Sequence, residues 1–457
     1  LTVSEIYDLL VLGGGSGGVR AARVAAGFGA RVVLVESSRL GGTCVNVGCV
    51  PKKLMVYGAS FAEHFREAAG FGWSLGAEPR HDWAALVDRR EAEIARLNGV
   101  YRGLLESSGV RVVEGFGRLV APGAVAVGDL TLRAKTILIA TGGRPKVPRI
   151  PGWELGSTSD DFFALRAHPR RVVVAGGGYI GVELASILRA FGSEVHLVHK
   201  DAMLLNAFDS DVRRFFGEQL QLHGVHVHAG RTIERLDRRG GDLVATLDDG
   251  STLAADLQLA AVGRVPATDG LGLADVGVET SPGGAIVVDD AFQTTCPGVY
   301  ALGDCVGRVQ LTPVALAEGM TFARRLFGGQ PDASVGYDLI PTAVFATPQV
   351  AAVGLSEDDA WHRGEQCVIF RSAFRPMKNT LSGLPFKMMM KLVVCAKTDR
   401  VLGIHVVGPD AGEIVQGFAA AMRAGVTKAQ LDATIGIHPT AAEELVTMRS
   451  PVPPMHG

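Results

Sequence analysis

Short apolar runs bounded by glycine alternate along this chain with longer stretches whose apolar residues recur at helical spacing. YDLLVL, residues 7–12, is unbroken in its hydrophobicity and reads as a strand buried on both faces. It runs into GGGSGGVRAARVAA, a glycine cluster opening a helical pattern, and the next apolar run, ARVVLVE, ends on Glu36. The same succession returns in RRVVVAGGGYIGVELASILRAFGSEVHLVHK, residues 170–200. Between the copies, AKTILIATGGRPKVPRIPG carries an apolar strand into Gly142, Gly143 and three prolines, marking a crossover and a boundary near residue 145. LQLAAVGRVPATDG closes the second copy, and GVYALGDCVG is again an apolar strand, ending in Gly303 and Asp304. From about residue 337, short strands such as TAVFAT, MMMKLVVCA and VLGIHVVG alternate with helical segments, with no third glycine cluster.

The glycines have a defined spacing. Gly13, Gly15 and Gly18 form GxGxxG between a strand and a helix, where they permit a tight turn and close approach to a pyrophosphate at the positive end of the helix. Glu36 lies 23 residues after Gly13, where a carboxylate binds ribose hydroxyls. Gly176, Gly178 and Gly181 repeat the pattern, and the same 23 residues lead to His199, followed by Lys200. A cationic strand end suits a 2′-phosphate better than a ribose diol; a merely solvated strand end is the alternative. Asp304 stands at a strand's carboxyl edge, where open α/β sheets bind ligands. The expected fold is therefore α/β: two Rossmann-like dinucleotide-binding domains, residues 1–144 with 266–336 and residues 145–265, followed by an α+β domain at 337–457.

The whole-chain properties agree. At 457 residues and 47% hydrophobic composition the chain can bury several cores, and about 150 residues per domain suggests roughly three domains. A formal charge of -2 with no long basic run gives no ground for a nucleic-acid partner and points to a small molecule. The first residues lack a basic segment followed by a long apolar one, and no apolar stretch approaches the ~20 residues that span a bilayer, so a soluble, cytoplasmic protein without a membrane partner is expected. Six cysteines at 44, 49, 296, 305, 367 and 395 are too few and scattered for a disulfide scaffold. Of these, only Cys44 and Cys49 read as close neighbours.

GGTCVNVGCVPKK, residues 41–53, leaves three roles open for that pair: bridge, metal clip or idle thiols. In a regular helix, residues five apart have Cα atoms roughly 8 to 9 Å apart, beyond the ~7 Å limit for a disulfide. A bridge therefore needs an irregular turn, for which Gly41, Gly42 and Gly48 supply the freedom. Zinc would need a second Cys or His cluster, and none is present, so no metal is expected. Lys52 and a helix start could stabilise a thiolate. Near the end of the chain, IGIHPTAAEELV places His438 five residues before Glu443, with Pro439 able to start a helix and let the acid orient the imidazole. Alone, a histidine so placed is more often structural than catalytic.

In order along the chain, the first glycine repeat, GGTCVNVGCVPKK, ATGGRP, the second repeat, the GD segment and HPTAAEE resemble the pyridine nucleotide-disulfide oxidoreductase family, most closely its members that act on glutathione disulfide. The resemblance implies FAD on the first copy, contacted by Gly13, Gly15, Ser16, Gly18 and Glu36, by Thr43, Thr141 and Gly142, and by Gly303, Asp304 and Thr312. On the second copy it implies NAD(P)H, held by Gly176, Gly178 and Gly181, by His199, Lys200 and Asn206, and by Arg264. Cys49 becomes the flavin-proximal thiol of a redox-active disulfide, and Cys44 the thiol that attacks glutathione disulfide. His438, with Glu443, is the acid supplied by the other subunit of a homodimer; Lys52 and Glu183 pair beside the flavin, and Tyr179 gates the nicotinamide pocket.

Substrate and coenzyme follow from the same likeness. Arg23, near Arg20, matches an arginine that binds a glutathione carboxylate; Tyr101 and Ser16 fit the same pattern, whereas Met320 stands where many such enzymes have a further arginine. Lys200 and Asn206 replace the two arginines of NADPH users, and Gly181 stands where those often have alanine. NADH users carry an acid near His199, and none is read here. NADPH is favoured, with NADH as the alternative coenzyme and a modified glutathione such as its amide as the alternative substrate. Lipoamide dehydrogenase and a non-catalytic flavin-bound redox sensor are the remaining alternatives. The tail, SPVPPMHG, has no cysteine pair of the kind that mercuric reductases or large thioredoxin reductases use.

Overall fold

The computed structural model describes residues 6–77 and 79–455. The chain separates into two compact units. The first gathers residues up to Leu54, Ala84–Lys146 and Gly263–Val335; the second gathers Met55–Trp83, Val147–Val262 and the residues from Gly336 onward.

In the first unit, the strand Ile6–Leu12 runs parallel between Val32–Glu36 and Leu130–Ile139, with Leu10 opposite both Val33 and Ile137. Arg111–Glu114 extends the sheet beyond Val32–Glu36, and Val299–Ala301 pairs with Leu130–Ile139. An antiparallel meander, Gly117–Ala121 and Ala124–Val127, continues into Leu130. Successive side chains of a strand point to opposite faces. Leu9, Val11, Leu34 and Leu138 accordingly meet Ala21, Ala22 and Ala25 of the helix Ser16–Gly27, while Leu10, Leu12, Val33 and Ile137 meet Leu119, Val125 and Val299. Two cores on two faces explain the unbroken apolar run.

The second unit repeats the plan. Arg171–Ala175 lies parallel between Glu194–His199 and Leu257–Ala260, flanked by His226–Ala229 and Ser157–Thr158. A second three-stranded meander follows, Ile233–Arg239, Asp242–Leu247 and Thr252–Ala255. The unit then adds a five-stranded antiparallel sheet in the order Thr342–Val344, Val350–Gly354, Val401–Val407, Met388–Cys395, Cys367–Phe374. One face packs Val353, Leu392 and Ile404 against Val415 and Met422 of the helix Ala411–Arg423. On the other face Lys391 is fully buried, its Nζ within 2.9 Å of carboxylate oxygens of Asp209, Asp211 and Glu357. These bonds tie the start of the helix Ser210–Leu222 to the antiparallel sheet.

The units divide the chain differently from the three-domain expectation. Residues 55–83 join the second unit, because Glu67 pairs with Lys378 at 2.8 Å and Gly70 abuts the backbone of Ser382. The helix Cys49–Ala68 therefore begins in one unit and ends in the other. No helix among the described residues is long and apolar enough to cross a membrane.

Candidate active site

The first sheet presents its glycine loop at the carboxyl end of Ile6–Leu12. Gly15 caps the helix Ser16–Gly27, and a Cβ on Gly18 would fall 2.0 Å from the carbonyl oxygen of Gly13. Only glycine lets the helix sit this low on the strand. Glu36 lies where expected: Gly14 N donates to its Oε2 at 2.6 Å and Ser38 N to its Oε1 at 2.7 Å, which fixes the carboxylate at the strand end. Across the loop, Thr141 Oγ1 is shut off from solvent without a hydrogen-bond partner, beside Gly142. Burial pushes the Asp304 carboxyl up, against the pull of Arg264. Gly303 N donates to Oε2 of the buried Glu318 at 2.8 Å, so the helix Thr312–Phe327 holds the Gly303–Asp304 turn in place. An orphaned hydroxyl, a glycine loop and a helix start together fit a pyrophosphate-bearing dinucleotide.

The cysteines lie on the next loop, tied to the first by Gly41 N donating to Gly14 O at 2.8 Å. A short helix, Gly42–Asn46, carries Cys44; the chain bends through Val47 and Gly48 and restarts as Cys49–Ala68. A Cβ at Gly48 would lie 2.8 Å from the Thr43 carbonyl oxygen, so the bend requires glycine. The irregular turn is present, and it brings the thiols of Cys44 and Cys49 together. Their side chains hydrogen-bond to each other, and that bond, then burial and the Cys49 charge, push the Cys44 thiol far up. Cys49 opens a 20-residue helix and lies 3.6 Å from Thr312 Oγ1, itself the first residue of Thr312–Phe327. Both helix starts favour negative charge at that sulfur. Lys52 stands in the first turn, its N–H closing onto Gly48 O at 3.0 Å.

Arg264, expected among the coenzyme contacts, is found in the first unit, where its guanidinium donates to Thr43 Oγ1 at 3.5 Å and to Gly143 O. Tyr101, on the helix Trp83–Ser107, has its phenol pushed up by burial and then by the Cys44 charge, with Arg20 acting oppositely. Tyr101, Arg20 and Cys44 are therefore within electrostatic reach of one another. Arg23, one turn further along the helix, directs Nε to Ser108 Oγ at 3.4 Å.

In the second unit, His438 Nδ1 lies 3.1 and 3.2 Å from the two oxygens of Glu443, so the acid does orient the ring. The helical turn begins at Ala441, two residues beyond Pro439. The imidazole is 79% exposed, and Ile435 and Ile437 beside it are 94% and 77% exposed.

The second glycine loop copies the first. Gly178 caps the helix Tyr179–Ala190, whose Tyr179 is 46% exposed, and a Cβ on Gly181 would fall 1.9 Å from Gly176 O. Glu183 is buried, its Oε1 accepting from Phe345 N at 2.8 Å. His199 corrects the cationic strand end: it faces inward, and its Nδ1 accepts from Gly177 N at 3.1 Å, the bond that Glu36 makes in the first copy. A ring accepting at Nδ1 is neutral and carries its proton on Nε2. That Nε2 lies 3.4 Å from Asp201 Oδ2, so an acid does stand near His199. Asn206 Nδ2 donates to the same carboxylate at 2.5 Å, and Asn206 Oδ1 accepts from Arg213 at 3.0 Å. Lys200 is exposed beside them.

Asp201, Arg213 and Glu318 are the functional candidates that the sequence patterns missed. The first two stand in plain view in HKDAMLLNAFDSDVRR, but their roles depend on how that loop folds back on itself. Among the described residues no group of three or more His, Cys, Asp or Glu side chains could hold a metal ion.

Comparison with known proteins matches residues 7–319 to the pyridine nucleotide-disulphide oxidoreductase model and residues 340–449 to that family's dimerisation domain. The chain is 46% identical over 444 residues to a glutathione reductase of Burkholderia cepacia, covering 97% of this chain and 98% of that protein. It is 44% identical to the chloroplastic/mitochondrial glutathione reductase of Pisum sativum, covering 97% of this chain and 82% of the relative. A glutathione reductase of Nostoc is 43% identical, covering 97% and 99%. Matched over residues 7–319 and 340–449 and by relatives along nearly its whole length, the chain belongs to the pyridine nucleotide-disulphide oxidoreductase family.

Proposed function

We propose that this chain is an NADPH-dependent, FAD-containing reductase of glutathione disulfide that works as a homodimer. The observation that carries the reading is the pair Cys44 and Cys49, set five residues apart across a glycine bend beside the first dinucleotide loop. The glutathione reductases it resembles over nearly its full length favour this substrate over lipoamide.

FAD, held by the loop of Gly13, Gly15 and Gly18 with Glu36 and Thr141, would when bound relay two electrons from NADPH to the Cys44–Cys49 disulfide and so return it to the thiol pair. The chain's own residues divide the remaining work. Cys49, at a helix start, takes the negative charge, and Cys44 keeps the shared proton until a base removes it. Deprotonated Cys44 attacks one sulfur of glutathione disulfide, breaking its S–S bond, and the departing glutathione thiolate takes a proton from His438. Cys49 thiolate then attacks the Cys44 sulfur of the mixed disulfide, which re-forms the Cys44–Cys49 bond and expels the second glutathione as a thiolate that takes a proton from solvent. Glu443 fixes the His438 tautomer so that Nε2 faces outward to the reacting sulfur. The exposure of His438, Ile435 and Ile437 supports a second copy covering this segment and receiving the acid into its own thiol site.

Steady-state assays of NADPH and NADH against glutathione, trypanothione and lipoamide disulfides test the reading. Rapid turnover is expected with NADPH and glutathione disulfide; activity confined to lipoamide would overturn the assignment, and a yellow protein inactive with every disulfide would favour the sensor alternative.

A further inference from the structure

Two more cysteines meet in this fold. Cys367 and Cys395 are 28 residues apart in sequence, but the strands Cys367–Phe374 and Met388–Cys395 pair antiparallel with these two residues directly opposite. The ladder also gives the kind of pair. Ala396 N donates to Gln366 O at 2.8 Å, so residues 366 and 396 form a hydrogen-bonded pair, and Cys395 N turns away to Arg400 O at 2.9 Å on the opposite neighbour. The cysteines therefore occupy a non-hydrogen-bonded site, where Cα atoms sit about 4.5 Å apart and side chains approach most closely. That separation lies within the ~4.4 to 6.8 Å that a disulfide spans.

Both thiols also turn to one residue. Cys367 Sγ donates to the Glu365 carbonyl oxygen at 3.7 Å and Cys395 Sγ to Glu365 Oε2 at 3.6 Å. Cys395 is buried and Cys367 partly exposed, which makes Cys367 the entry point and Cys395 the thiol that completes the exchange.

From this placement we infer that Cys367 and Cys395 form a second dithiol–disulfide couple, separate from the Cys44–Cys49 pair and oxidised by glutathione disulfide. Cys367 thiolate attacks one sulfur of the oxidant; the S–S bond breaks, one glutathione leaves with the Cys367 proton, and a mixed disulfide remains. Cys395 gives its proton to Glu365 and attacks the Cys367 sulfur, and the second glutathione leaves as a thiolate that takes up this proton. Two protein thiols lose two electrons and two protons, and one glutathione disulfide becomes two glutathiones. Burial, then Cys395, Glu365 and Glu357, push the Cys367 thiol up, so little thiolate is available and the couple answers sustained oxidation rather than passing exposure. The inference goes beyond the proposed activity, because this couple lies in the antiparallel sheet and takes no part in turnover at Cys44 and Cys49.

The full-length flavoprotein, without NADPH, would be equilibrated in glutathione buffers of rising oxidised-to-reduced ratio, quenched in acid, alkylated and mapped by peptide mass. The expected result is joint loss of alkylation at Cys367 and Cys395 with appearance of a peptide linking them, and in Cys395→Ser a Cys367 that stops as the glutathione adduct. If both thiols remain fully alkylated at ratios that oxidise Cys44 and Cys49, or if the wild type holds Cys367 only as the adduct, the inference is wrong. The wild-type map decides this even if the variant fails to fold, and it stands apart from whether glutathione disulfide is turned over.

Discussion

His438 carries the most testable chemistry at the level of single residues. Its Nδ1 is committed to Glu443, so Nε2 is the only nitrogen able to exchange a proton with a sulfur. His438→Gln is expected to lower turnover of glutathione disulfide by about 10² to 10⁴-fold, the usual worth of a general acid, while NADPH still reduces the flavin at the wild-type rate in stopped flow. A matching loss in flavin reduction would mean that the residue acts structurally. Glu443→Gln should give a smaller loss in the same step. The two pairs stand out in the sequence by their spacing: five residues from Cys44 to Cys49, and five from His438 to Glu443. What spacing could not show was that the cysteines stand as hydrogen-bonded thiols, or that a glycine at 48 is required by contact with the Thr43 carbonyl.

Among the elements, the loop after Glu194–His199 departs furthest from its sequence pattern. Counting residues locates His199 at the strand end, yet not that its ring turns inward to replace a carboxylate on the glycine loop. The hydrogen bond from Asn206 holds the Asp201 carboxyl below the usual carboxylate range, so the acid is charged beside Lys200. A fixed anion next to a single lysine opposes a 2′-phosphate. Asp201→Asn is therefore expected to raise the ratio of kcat/KM for NADPH over NADH by about fivefold, since removing an exposed like charge acts modestly. An unchanged ratio would show that Asp201 does not face the coenzyme. The antiparallel block illustrates the same limit of pattern reading. MMMKLVVC reads as a strand, but nothing local reveals that its lysine meets three carboxylates, or that its cysteine lies opposite Cys367. Those facts belong to register, which long-range pairing sets.

For the molecule as a whole, the repeated glycine loops were legible because GxGxxG between apolar runs leaves a strong mark, whereas the two meanders and the grouping of residues 55–83 with the second unit were not. No pattern in AEHFREAAGFGW announces that residues 55–83 group with the second unit. The dimer makes its own prediction. If His438 serves the thiols of a second copy, subunits carrying Cys44→Ser and subunits carrying His438→Gln, each inactive alone, should complement when mixed under conditions of subunit exchange. Random pairing gives heterodimers with one intact site, and about a quarter of the wild-type activity should return. No recovery, with exchange verified by mass, would place the acid in its own chain.

The contact at Gly181 bears on how such an enzyme can change. A Cβ there would stand 1.9 Å from the Gly176 carbonyl oxygen, so alanine at this position requires the turn to shift with it. Coenzyme preference in a lineage built on this turn therefore changes more readily through the surface loop at 200–206 than at the glycine turn, where a new side chain must carry the backbone along.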